Sequence, residues 1–174
     1  MVVLIAIVAG VAIPRLVGNE RRESLQAVEQ IAEMLMMFAH RGSLGERDIA
    51  LHYDSVSATL MLLRAERDPD RPYDRPEWEI DQWTSPHPLP PGVDIVAARR
   101  DGSTLIDRNW LIPISGELGR PTIELVVVGP HGESTVILPA YGMTATIIHP
   151  HELTEFIHPR PVDLDATGRT QEPW

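Results

Sequence analysis

Residues 16–41, LVGNERRESLQAVEQIAEMLMMFAHR, decide the predicted fold because they have the periodicity of an amphipathic helix. The stretch contains no proline and, after Gly18, no glycine. Apolar side chains spaced three and four residues apart share one helix face. Here they are Leu25, Val28, Ala32, Leu35 and Ala39, with Ile31 and Phe38 widening the stripe. We expect Leu25, Val28, Ala32, Leu35 and Phe38 to pack this helix against the rest of the chain.

Upstream of this helix lies an entirely apolar run, residues 1–13, MVVLIAIVAGVAI, which ends at Pro14 and Arg15. A helix of that length covers about 20 Å, whereas the hydrocarbon core of a bilayer is about 30 Å thick. As written, the run is therefore too short to span a membrane. A secretory signal peptide and a buried core helix are the two alternatives. Pro14 predicts a kink where the apolar and amphipathic parts meet.

Downstream of the helix, the pattern changes to the alternation and β-branched runs of strands. The predicted strands are 49–53, 58–63, 93–98, 110–114, 122–128, 134–138 and 143–148, with a turn at Gly129-Pro130-His131-Gly132. Short strands joined to their neighbours by glycine- and proline-rich connections predict one or two mostly antiparallel sheets.

Two segments do not follow either pattern. Residues 67–91 alternate charge with proline, which excludes a central strand or helix there. We expect Trp78, Ile80 and Trp83 to hold this loop against the domain, with an exposed partner site as the alternative. Residues 150–174 have little periodicity, and they are interpreted as a strap or a disordered end.

Composition excludes several functions. The 174 residues carry a net charge of −10, with fifteen arginines, no lysine and no cysteine. The chain therefore cannot form disulfides, use a thiol nucleophile or use a Schiff-base lysine. An acidic chain is also a poor general binder of nucleic acid, so no nucleic-acid partner is expected.

No catalytic motif is present in the sequence. Residues 151–155, HELTE, begin like a zinc-protease motif, but Glu155 stands where the second histidine belongs. A metal site built from His149, His151 and His158 is the minor alternative to ordinary surface histidines. We therefore predict a protein that is not an enzyme, with no cofactor and no metal.

The front of the chain resembles the type IV pilin superfamily. Residues 11–16, VAIPRL, look like the end of that family's membrane helix, and residues 25–40 look like the second helix half of H-type minor pseudopilins of type II secretion. Residues 110–116, WLIPISG, resemble that group's apolar strand ending in a proline-and-glycine turn. Residues 122–128, Gly132, 136–138 and 142–148 match its closing strand-Gly-strand-Gly-strand pattern.

The resemblance implies an α+β, pilin-like fold in which a long N-terminal helix packs on a small, mostly antiparallel β domain. Its parts would be a transmembrane helix half at 1–17, an amphipathic half at 18–42, a β-rich domain at 43–149 and a tail at 150–174. The implied function is that of a minor pseudopilin, a structural subunit of the pseudopilus that exports proteins across the outer membrane. A minor type IV pilin or uptake-pilus tip subunit that binds a ligand or DNA is the alternative.

The same resemblance implies a place and partners for the chain. It would be a single-pass inner-membrane protein with a periplasmic β domain, assembled into a periplasmic pseudopilus. Other pseudopilins or pilins would pack on its helix through Val8, Gly10, Ile13, Pro14 and Arg15. The family's basic leader, cleavage-site glycine and acidic residue are missing. Met1 is therefore expected to correspond to a position inside the family's apolar segment, downstream of where the family's mature chain starts. Prepilin peptidase is an expected partner if the natural N-terminus lies upstream.

Overall fold

A computed structural model of the chain describes residues 2–66, 77–114, 119–130 and 132–149, with side chains described from Arg21 onward. Helix α1 is Val2–Ser43. Ten strands follow it: β1 Ile49–Asp54, β2 Thr59–Glu66, β3 Glu77–Ile80, β4 His87–Pro88, β5 Asp94–Arg100, β6 Ser103–Thr104, β7 Trp110–Pro113, β8 Ile123–Gly129, β9 Gly132–Leu138 and β10 Thr146–Ile148.

The strands form two five-stranded antiparallel sheets. Sheet A has the order β3-β2-β1-β7, and β4 also pairs with β2. Sheet B has the order β10-β9-β8-β5-β6. The prediction of mostly antiparallel sheets is confirmed, because each strand pairing in the described chain is antiparallel.

The helical stretch 21–43 lies against both sheets. It contacts β1 and β2 of sheet A and β9 and β10 of sheet B. Ile31, Leu35 and Phe38 on its inner face are completely buried. They belong to one cluster with buried side chains of both sheets, among them Leu51 and Leu125. The domain therefore has a single core that needs the helix as well as the two sheets.

A polar contact also ties one sheet to the other. The Tyr53 hydroxyl in β1 donates a hydrogen bond of 2.5 Å to Asp94 Oδ1 in β5. Burial and this bond raise the pKa of Tyr53 above its ordinary value. The Tyr53 ring also packs on Trp110, with 5.8 Å between ring centroids. Tyr53 thus joins the sheets with its apolar ring buried and its hydroxyl satisfied.

The predicted fold class was wrong. Instead of a long N-terminal helix packed on a small β domain, the structure is mostly β, with ten strands in two sheets. The helix residues with described packing are the short stretch 21–43, and the first buried residue within that stretch is Ala27. The physical reason lies in the core: of the 28 buried hydrophobic residues in the described part of the chain, eight belong to α1 and the others to the strands and their connections.

The seven strands predicted from the sequence are confirmed, with ends that differ by up to three residues. The predicted turn is also confirmed, because Gly129 and Gly132 pair across the end of the β8–β9 hairpin. Gly132 has a φ of +125°, a conformation that favours glycine. The short strands β3, β4 and β6 were not predicted.

The proline-rich segment 67–91 contains β3 and β4 at the outer side of β2. The prediction that this segment contains no central strand agrees with the structure, since β3 and β4 both lie at the edge of sheet A. The expected anchoring role of Trp83 and Ile80 was wrong, because their exposed fractions are 82% and 55%. Residues 67–76 and the tail 150–174 lie outside the described residues.

Candidate assembly surface

The inner face of α1 contains four of the five predicted packing residues. Val28, Ala32, Leu35 and Phe38 are buried, with exposed fractions between 0% and 5%. Leu25 is 42% exposed, and it lies before Ala27, the first buried residue of the stretch 21–43. Sequence periodicity also placed Ile31 and Ala39 on this face, and both are buried. Ala27 and Met34 are buried as well, and the sequence analysis did not select them.

The residues predicted to assemble with other chains lie at the other end of the helix. Val8, Gly10, Ile13, Pro14 and Arg15 fall within the assigned bounds of α1, and their side chains lie outside the described residues. Their expected contacts with other pseudopilins or pilins stay a prediction.

The C-terminal end of α1 is fixed by an arginine that binds two carboxylates. Arg41 Nη1 donates to Asp81 Oδ2 at 2.5 Å, and Arg41 Nη2 donates to Glu46 Oε2 at 2.7 Å. Thr84 Oγ1 donates to the same oxygen of Asp81 at 2.8 Å. Burial alone would lower the pKa of Arg41, but the bonds to Glu46 and Asp81 raise it above its ordinary value. This network holds the helix end to the segment that follows β3.

A second arginine fixes the turn before β10. Arg120 Nη2 donates to the backbone oxygens of Pro139 at 2.7 Å and Ala140 at 2.9 Å, and also to that of Gly142. Burial lowers the pKa of Arg120. The turn is tight, since a Cβ on Gly142 would approach Pro139 to 3.2 Å. Arg120 therefore sets the conformation of a turn that lies about twenty residues away in sequence.

The acidic and histidine side chains give no sign of a metal centre in the described ranges. No three histidine or acidic residues there are grouped so that they could hold a metal ion. His149 Nδ1 lies 3.1 Å from the hydroxyl of Ser134, while His151 and His158 lie outside the described residues. The polar side chains described above form ion pairs, hydrogen bonds within turns and a hydrogen bond between the two sheets.

His87 in β4 is expected to make the stability of the domain depend on pH. Burial lowers the pKa of its ring, and its Nε2 atom is buried without a partner among the described residues. The unfolded chain, with a histidine pKa of about 6.5, therefore takes up a proton more readily than the folded chain. We expect the free energy of unfolding to fall as the pH drops from 7 to 5, and the variant His87→Gln to lose part of that fall. Urea unfolding followed by tryptophan fluorescence at both pH values measures the difference. A ring pKa at or above 6.5 for His87 in an NMR titration of the folded protein would contradict this account.

Several large apolar side chains are exposed on the sheets and their turns. They are Val56, Ile80, Trp83, Val96, Ile106, Tyr141 and Met143. Val96 points outward at a register shift between Ile95 and Ala97, where β5 has a bulge against β8. Sequence analysis considered exposure only for Trp78, Ile80 and Trp83, and it missed Val96 because an apolar residue at a bulge is indistinguishable in sequence from the buried residues beside it.

The predicted single-pass inner-membrane location was wrong. Among the described residues, no helix combines the length and the apolar character needed to cross a membrane. The physical reason is that the helix from Arg21 onward carries charged side chains on its outer face, while its apolar face is covered by the sheets.

Comparison of the chain with protein-family models, with curated proteins and with solved structures finds no match.

Proposed function

We propose that this chain is a structural subunit of a protein-exporting filament, a minor pseudopilin of the type II secretion kind. One observation supports this best. The inner face of the helical stretch 27–39 is buried against both sheets, and the apolar run of residues 1–13 precedes this stretch in the sequence. The apolar run is therefore joined in sequence to a helix whose inner face is fixed to the β domain.

The run has the composition of a helix–helix contact. Ala6, Ala9, Gly10 and Ala12 are small, and small residues let helix backbones approach closely. The resemblance noted above supplies the identity of the neighbours, which would be other pseudopilins. In such a filament the β domain would be the outer body of the subunit, and export would depend on assembly and not on catalysis.

Site-specific photo-cross-linking in the native host tests the proposal. A photo-reactive amino acid at Val8 is expected to give products with other filament subunits, identified by mass spectrometry. The matched control carries the same amino acid at Val56, which is 88% exposed on the turn between β1 and β2. That position should give few products with the same subunits, because it lies on the β domain and not on the apolar run.

A second arm of the experiment measures function. Gly10→Leu adds bulk where helices would approach, so it should reduce both the Val8 cross-links and the export of secreted proteins. Normal export after deletion of the gene, with Val8 products that contain no pilin-like chain, would overturn the proposal.

A further inference from the structure

A surface pocket beside α1 is lined by sulfur-containing side chains. The chain has six methionines, and Met36, Met37 and Met143 line one surface pocket together with Glu33 and His40. Met36 and Met37 precede His40 by four and three residues, so the three side chains share one side of the helix. Met37 and Met143 are each 44% exposed, so this pocket is open to solvent.

Met143 reaches this pocket from a turn whose shape is fixed. Arg120 binds the backbone oxygens of Pro139, Ala140 and Gly142, directly before Met143. The backbone N–H of Gly142 also donates to the oxygen of Pro139 at 3.1 Å. On the other side, the helix is held by the buried face that contains Leu35 and Phe38. Both elements that carry the donor side chains are therefore fixed, and metal binding favours donors held on fixed elements.

The donors of the pocket select for a soft metal ion. Thioether sulfur is a soft ligand that suits Cu(I), whereas zinc sites in proteins are built from cysteine, histidine and carboxylates. The pocket offers three thioethers and one imidazole, and the carboxylate of Glu33 lies beside them to offset positive charge. We propose that Met36, Met37, His40 and Met143 form a binding site for Cu(I). This inference is independent of the proposed filament function.

An apolar contact surface would place methionines in the same way, but it would not need their sulfur atoms. Leucine has a similar volume and no thioether, so Met→Leu changes separate the two explanations. The purified full chain is titrated with Ag(I), a redox-stable analogue of Cu(I), by isothermal calorimetry. Cu(I) affinity is measured by competition with a chromophoric Cu(I) chelator. X-ray absorption of the Cu(I) complex then reports which atoms surround the metal.

We expect one equivalent of Ag(I) or Cu(I) to bind and sulfur atoms to surround the metal. The double variant Met37→Leu/Met143→Leu should weaken the affinity roughly tenfold or more. The control is Met61→Leu in β2, a partly exposed methionine outside the pocket, which should leave the affinity unchanged. Circular dichroism checks that all variants remain folded.

Three results would overturn the proposal. The first is that the double variant binds the metal as tightly as the unmodified chain. The second is that X-ray absorption shows only nitrogen and oxygen atoms around the metal. The third is that equimolar Zn(II) displaces Ag(I). The first result would indicate an apolar contact surface. The second would assign the metal to histidines elsewhere in the chain.

Discussion

Replacing Phe38 by alanine is expected to lower the free energy of unfolding by about 3–5 kcal/mol. Phe38 is completely buried, and it belongs to the cluster that joins α1 to both sheets. Truncation removes the transfer energy of the ring and also leaves a cavity, because the strands on either side are fixed by their hydrogen bonds. Urea unfolding followed by far-UV circular dichroism measures the loss.

The neighbouring residue supplies the control. Met37 lies one position before Phe38 in the same helix turn and is 44% exposed, so Met37→Ala removes less buried surface than Phe38→Ala. Alanine is at least as good a helix former as either residue it replaces, so helix propensity does not explain a difference between the variants. We expect Met37→Ala to cost under about 1 kcal/mol. Equal losses for the two variants would mean that the helix is not part of the core.

The packing of the helix could be predicted from the sequence because one physical rule sets it. A helix on a sheet needs apolar side chains on one face, and Val28, Ala32, Leu35 and Phe38 follow that rule. Leu25 follows the same spacing and is 42% exposed. Periodicity gives the face of a helix, but it does not tell where the covering sheet ends.

Burial also decides which strands could be predicted from the sequence. Runs such as 122–128 bury most of their side chains, so their composition predicts them. β3 has mostly exposed side chains, and it is held by backbone pairing with β2. An edge strand of that kind has no hydrophobic pattern, and the prolines around it favour a loop. The sequence-based error on Trp83 has the same origin, because apolar character was taken as a sign of burial.

The fold class and location failed for a different reason. They depended on residues 1–13, whose apolar character is obvious but whose partners the sequence does not define. Among the described residues, most of the buried hydrophobic side chains come from the strands and their connections. The polar contacts could not be predicted from the sequence either, since Arg41 and Asp81 are forty residues apart. Nothing in the spacing of two such residues predicts a contact between them.

Removing the arginine of that contact is the second large effect we expect. Asp81 has a fully buried side chain, and Arg41 is the cation that the structure shows against it, at 2.5 Å. Arg41→Met keeps much of the apolar stem but leaves the carboxylate of Asp81 buried with only the Thr84 hydroxyl as a side-chain donor among the described residues. Breaking a buried pair in this way costs about 3–5 kcal/mol. Urea unfolding at pH 7 measures the cost.

A second substitution separates the charge effect from the packing effect. Asp81→Asn removes the buried charge, so the double variant Arg41→Met/Asp81→Asn should be more stable than Arg41→Met alone by at least about 1 kcal/mol. The matched control is the ion pair between Arg99 and Glu124, which is also 2.5 Å long but has side chains 44% and 28% exposed. Because water screens such a pair, Arg99→Met should cost about 1 kcal/mol or less. If Arg41→Met and Arg99→Met cost the same, burial of Asp81 does not set the strength of the contact. If Asp81→Asn gives no recovery, the loss comes from the packing of the Arg41 stem and not from the unpaired charge.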